Sequence, residues 1–223
     1  MQLEPRIDWQ ASRCESREAL LVRLRACLYP LHAPPAEPLL LPQDLLDLIP
    51  PRALLREAAV LVGLVERSND FCVLLTRRSE RMSQHAGQVA FPGGRCDPED
   101  KGPLGAALRE AHEEIALEPA RVLPVGYIDS VPTFTGFLVT PVVALVDPDH
   151  RPVPNPSEVE HVFEVPLGFL LDARNVRIDR REWMGRLRST YRYEWAGEQI
   201  WGATAAMLLN LRQRLTGESP PTA

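Results

Sequence analysis

A pair of adjoining glycines, an acidic turn and then a helix-like run crowded with carboxylates constrain this chain more than any other feature. From Gly93 to Leu117 it reads GGRCDPEDKGPLGAALREAHEEIAL. Glu110, Glu113 and Glu114 stand at i, i+3 and i+4, a spacing that puts them on one side of a helix. Carboxylates held that close repel one another unless a cation neutralises them. Hard oxygen donors of this kind suit Mg²⁺ or Mn²⁺. Leu104, Leu108, Ala111 and Ile115 recur at helical spacing, which predicts a helix over 103–117 with those residues buried and the carboxylates on the opposite side. Pro103 fits the first turn. The REAHEE segment by itself also fits a solvated helix face carrying an Arg109–Glu113 pair, so the flanking residues decide between the two.

The rest of the chain reads as alternating strands and helices. Residues 1–53 form a helical, proline-punctuated extension, with apolar spacing at Leu20, Leu21, Leu24 and Cys27 and a short helix near 45–49. The extension would cover the following domain or help to form a homodimer. Residues 58–65 and 71–76 are apolar and rich in β-branched residues, as strands are, and 87–91 is a shorter strand that delivers the chain to Gly93 and Gly94. Glycines there permit a close approach of backbone to a metal or a phosphate. Residues 122–131, 137–146, 161–165 and 188–195 read as further strands, 166–171 as a short helix and 202–215 as the last helix. The domain therefore spans 54–216, and 217–223 is a flexible tail.

Composition excludes several classes. The net charge is −5, so neither nucleic acid nor an anionic membrane surface is an expected partner. No apolar run is long enough to span a bilayer, and the N-terminus lacks a signal-peptide pattern. Cys14, Cys27, Cys72 and Cys96 have no metal-ligand spacing, so free thiols in a reducing, cytoplasmic compartment are expected. His85 and His112 belong to no chemical motif read here. Lys101 is the only lysine; the other basic residues are arginines, which bind phosphate with a bidentate fork.

The segment from Gly94 to Leu117 resembles the Nudix box, a glycine, five residues, a glutamate, seven residues and then Arg-Glu-apolar-x-Glu-Glu-x-Gly-apolar. Gly94, Arg109, Glu110, Ala111, Glu113, Glu114 and Leu117 fit it. Asp100 replaces the first glutamate and lies one residue out of step, and Ala116 replaces the late glycine. The resemblance implies an α+β fold, an α/β/α sandwich with a mixed β-sheet between helices. It also implies a divalent cation, Mg²⁺ or Mn²⁺, held by Glu110, Glu113, Glu114 and the Gly94 carbonyl, with Arg109 positioning a carboxylate.

Upstream, LLTRRSERMSQHAGQVAFPGG from Leu74 to Gly94 is similar to the signature LLTxxSxxxRxxxGxxxFPGG of Nudix enzymes that cleave coenzyme A. Leu74, Leu75, Thr76, Ser79, Gly87, Phe91, Pro92, Gly93 and Gly94 match, and Ser83 stands where the signature has arginine. This resemblance implies a small-molecule substrate of the coenzyme A class, split at its pyrophosphate. Ser79, Gly87, Gly93 and the arginines Arg77, Arg78 and Arg81 would contact that substrate, with one of the arginines replacing the missing one. Glu158 and Glu160, in the polar loop before the 161–165 strand, are the loop candidates for general base beside the box glutamates. Nudix hydrolysis of another substrate, such as ADP-ribose, and a Nudix-fold nucleotide sensor without activity are the competing readings.

Overall fold

The computed structural model describes residues 15–68, 70–82 and 85–219. Cys14 and Ser83 lie outside them. The elements in order are α1 (Arg17–Cys27), β1 (Arg56–Glu66), β2 (Phe71–Arg78), β3 (Val89–Ala90), β4 (Gly93–Arg95), α2 (Gly102–Ile115), β5 (Val122–Tyr127), β6 (Val131–Pro132), β7 (Phe137–Val146), β8 (Val159–Pro166), α3 (Leu167–Leu171), β9 (Arg177–Trp183), β10 (Arg186–Trp195), β11 (Glu198–Trp201) and α4 (Gly202–Thr216).

The central strands β1 and β7 run parallel, in register from Arg56↔Phe137 to Val65↔Val146. Around them β2, β4, β5 and β6 pair antiparallel, which makes the sheet mixed. Both faces of β1 are covered, so its sequence is apolar almost throughout instead of alternating with polar residues. Ala59, Leu61 and Val65 pack with Ala106, Ala107, Ala111 and Ile115 of α2 on one face. Val62 and Leu64 pack on the other, in the core that also holds Leu20 and Leu24 of α1, Phe169 of α3 and Leu208 of α4. Helices thus lie on both sides of the sheet. No helix among the described residues is long and apolar enough to cross a membrane.

The N-terminal segment is fastened to this body. Tyr29 and Tyr127 exchange backbone hydrogen bonds of 2.9 Å. The Tyr29 hydroxyl donates to Asp129, which also accepts from Arg214 and Asn210 of α4. Asp47 takes the buried Arg188 guanidinium of β10 at 2.6 Å.

Three features differ from the sequence reading. The Gly-Gly segment lies in a strand, β4, pairing with β1 through Ala59↔Gly94 and Val60↔Gly93. The predicted 122–131 strand breaks into β5 and β6, because a register shift at Pro124–Gly126 precedes the point where the Asp129 N–H turns to the Asn210 side chain. Strands β9 and β11 form a second, three-stranded sheet with β10; the charged run RIDRREW of β9 has no apolar alternation to announce it.

Candidate active site

Helix α2 meets β4 where the two halves of the box come together. The helix seats on the sheet through Ala106, Ala107 and Ala111, while Leu104 and Leu108 are only half-buried. Alanine lets the helix axis approach closely, so the buried stripe lies about one position away from the predicted leucines. That rotation separates the carboxylates. Glu114 is buried at 2% exposure, Glu110 is half-buried and Glu113 faces solvent. The predicted solvent-side cluster therefore straddles the boundary between sheet and solvent.

Gly93 donates its N–H to Glu114 Oε2 at 3.2 Å, and Arg78 Nη1 lies 3.8 Å from Oε1. Burial pushes the Glu114 carboxyl up to about 8; Arg78 and the Gly93 N–H lower it, and Glu110 and Glu158 raise it further. Burial also raises Glu110, against its hydrogen bond from Arg109. The charges of Glu110, Glu114 and Glu158 thus act on one another across a small space.

Close approach of backbone dictates Gly93, and Gly94 leaves room for the Glu110 carboxylate. A Cβ on Gly93, whose φ is 156°, would lie 2.4 Å from the Ala59 carbonyl oxygen. A Cβ on Gly94 would lie 2.5 Å from the Glu110 carboxylate. Contacts that short are forbidden unless something moves.

Arg109 gathers the acidic groups. Its guanidinium donates to Asp100 at 2.9 and 3.1 Å, to Glu110 at 2.8 Å, to Glu113 at 3.3 Å and to the Arg95 carbonyl at 3.0 Å. Asp100, out of step with the box pattern, is the anchor of this arginine, and the hydrogen bond from Arg109 holds its carboxyl below the usual range. Its burial and short sequence separation from Arg109 gave no signal in the sequence beyond the presence of an acid at that place.

A cleft of about 430 Å³ opens beside these residues. Gly93, Gly94, Arg78, Phe134, Trp201 and Met207 are among the residues that line it. Of the predicted substrate residues, only Arg78 and Gly93 line it. Arg77 is engaged by Glu80, Glu160 and Glu198. Ser79 is buried, accepting the Arg81 N–H on its hydroxyl and donating its own N–H to the Glu158 carbonyl. Gly87 donates to the Arg78 carbonyl within the β2–β3 turn, and Arg81 is exposed. Glu158 and Glu160 separate in the same way, with Glu158 acting on the buried carboxylates and Glu160 committed to Arg77. His85 and Gln88 also line the cleft; no residue pattern around them marks either one.

Among the described residues no three acidic, His or Cys side chains already converge on one point, since Arg109 holds Glu110 and Glu113 while Gly93 holds Glu114. The donor set nonetheless fits a divalent cation. The buried Glu114 and the half-buried Glu110, both with raised pKa values, lie beside a glycine backbone that leaves Glu110 room, and added positive charge would relieve both their burial and their repulsion.

A family profile described as the NUDIX domain matches residues 54–187. The chain belongs to the Nudix hydrolase family. It is 39% identical over 163 residues to the uncharacterized Nudix hydrolase NudL of Photorhabdus laumondii, covering 72% of this chain and 85% of that protein. It is 41% identical over 164 residues to the NudL of an Enterobacter species, covering 70% and 81%. Among solved structures, the Nudix hydrolase RenU of M. smegmatis aligns with 51% of this chain and 71% of its own, at 26% identity and a TM-score of 0.44. As a Nudix hydrolase the protein is a pyrophosphohydrolase of nucleoside diphosphate derivatives, a class that generally requires divalent cations such as Mg²⁺ or Mn²⁺. Strand β11 and helix α4 lie beyond the profile, yet they supply Trp201 and Met207 to the cleft.

Proposed function

We propose that this Nudix hydrolase cleaves the pyrophosphate bond of coenzyme A or its acyl derivatives, yielding 3′,5′-ADP and 4′-phosphopantetheine or its acylated form. The observation that carries the reading is the course of the Leu74–Gly94 signature. It runs along β2, through the β2–β3 turn and into β4, so its members Phe91, Gly93 and Gly94 line the same cleft as Arg78. Gly94 in turn abuts Glu110.

In this reading Glu110, Glu113, Glu114 and the Gly94 carbonyl hold Mg²⁺ or Mn²⁺. The bound cation offsets the negative charge of the pyrophosphate and acidifies water for attack. Arg109, tied to Asp100, fixes the Glu110 and Glu113 carboxylates from behind and makes no contact with substrate. Glu158 is the general base favoured by position, because it lies among the buried carboxylates while Glu160 is neutralised by Arg77. Arg78 faces the cleft beside Glu114 and is the arginine placed to meet a substrate phosphate; Arg77 is spent on carboxylates. The protein acts as a cytoplasmic enzyme on a soluble nucleotide derivative.

Steady-state kinetics with Mg²⁺ on coenzyme A, ADP-ribose and an oxidised nucleoside triphosphate test the reading, with products identified by mass. The highest kcat/KM is expected for coenzyme A. A clearly higher kcat/KM for ADP-ribose or the oxidised nucleotide would replace the substrate while leaving the family intact.

A further inference from the structure

His85 is an outlier in the cleft wall. Its φ is 58°, the left-handed region, which a non-glycine side chain occupies at a cost and which recurs at functional sites. Its ring is fixed by Gln88, with Nδ1 2.9 Å from the Gln88 side-chain oxygen. An amide oxygen only accepts, so Nδ1 carries the proton and Nε2 is left with a lone pair. Among the described residues no partner takes that Nε2. Both His85 and Gln88 line the cleft with Gly93 and Gly94.

Charge narrows what Nε2 meets. Three residues lining the cleft have basic side chains: Arg78, Arg95 and His85. Arg78 faces Glu114 and Arg95 faces Asp97. His85 pairs with the neutral Gln88, and among the described residues no carboxylate is paired with its ring. An anionic group of the substrate is the natural counterpart. A pyrophosphate placed against Gly93, Gly94 and Arg78 has those groups as its partners. His85, in the turn between β2 and β3, is then available to a second anionic group of the same substrate.

We propose that His85 is a specificity residue that binds the phosphate monoester on the ribose of the substrate, with Gln88 fixing the imidazole so that Nε2 faces it. This rests on the coenzyme A reading, in which the ribose carries a 3′-phosphate. The Nε2 lone pair shares the proton of a phosphate monoester P–OH, whose second ionisation lies at about 6, in one hydrogen bond; no other bond forms or breaks. A charge-assisted contact of this kind corresponds to roughly tenfold or more in affinity.

The test is equilibrium binding of two probes, 3′,5′-ADP and 5′-AMP, to the full chain by calorimetry. The wild type is expected to prefer 3′,5′-ADP by roughly tenfold or more. His85→Asn and His85→Gly, both of which accept a left-handed backbone, are expected to lose that preference while keeping their affinity for 5′-AMP. Gln88→Leu, which frees the ring, is expected to reduce the preference partially. A preference retained in both His85 variants, or absent from a wild type that cleaves coenzyme A, overturns the inference. A wild type that prefers 3′,5′-ADP but does not cleave coenzyme A overturns the proposed substrate and leaves the phosphate contact standing.

Discussion

Glu114 combines burial at 2% exposure with a carboxyl pushed up to about 8. Among the described residues only one N–H, that of Gly93, donates to it. A carboxylate so placed gains most from a cation, which explains why it and Glu110 are expected to be the most sensitive positions. Glu110→Gln and Glu114→Gln should each lower kcat by on the order of a hundredfold at saturating Mg²⁺ with little change in melting temperature; a change confined to KM would reassign them to substrate binding. The loop acids should part company. Glu158→Gln is expected to lower kcat by roughly a hundredfold or more, while Glu160→Gln, which removes only an exposed partner of Arg77, should leave kcat near the wild-type value. Equal losses in both variants would contradict the assignment of Glu158. At this scale the glutamates of the box were legible in the sequence, because helical spacing alone puts them together. What separates Glu158 from Glu160, or commits Arg77 to three carboxylates, depends on the pairing of β2 with β8 and on the side chain that β11 brings against them, and no local pattern encodes it.

The α2 helix ends on a residue that departs from the family pattern. Ala116, where the box has glycine, caps the helix with φ 54° and donates its N–H to the Ala111 and His112 carbonyls. A left-handed backbone costs a residue with a Cβ about 1–2 kcal/mol. Ala116→Gly should therefore stabilise the protein by up to about 1 kcal/mol and raise the melting temperature by roughly 2–4 °C; a lower melting temperature would contradict this account of the cap. The neighbouring glycines behave in the opposite sense. Gly94→Ala drives a Cβ to 2.5 Å from the Glu110 carboxylate, so it should displace that group and lower kcat in proportion to the Glu110→Gln loss. Long apolar elements such as β1 and β7 were readable because both faces are buried and the residues are continuous. Strand β4 was not, since two glycines look like a loop until β1 is known to lie beside them. Strand β9 was missed for a related reason, its residues being charged and its pairing with β10 set by the hairpin at Met184–Gly185.

Across the whole molecule the N-terminal segment and α4 close the face of the sheet opposite α2, and Asp129 is where they meet. Burial works to raise the Asp129 carboxyl, but hydrogen bonds from Arg214, Asn210 and Tyr29 outweigh it and hold it below its usual range. Arg214 also lies 4.2 Å above the Tyr29 ring. A carboxyl with a depressed folded-state pKa contributes stability that is present above its unfolded pKa and lost as pH falls through the folded value. Asp129→Asn should therefore destabilise the protein at pH 7 by about 1–3 kcal/mol in urea unfolding, and the gap should narrow as pH drops below about 4. A gap that is constant with pH would mean that Asp129 contributes through packing alone. The central claim concerns the other face, where α2 and β4 bring Glu110, Glu114 and Gly94 together around a cation. The measurement that tests it most directly is a titration of the wild type and of Glu114→Gln with Mn²⁺, followed by electron paramagnetic resonance. The account predicts that the wild type binds Mn²⁺ and that the substitution weakens binding by roughly tenfold or more; equal Mn²⁺ affinity in the two proteins would contradict it.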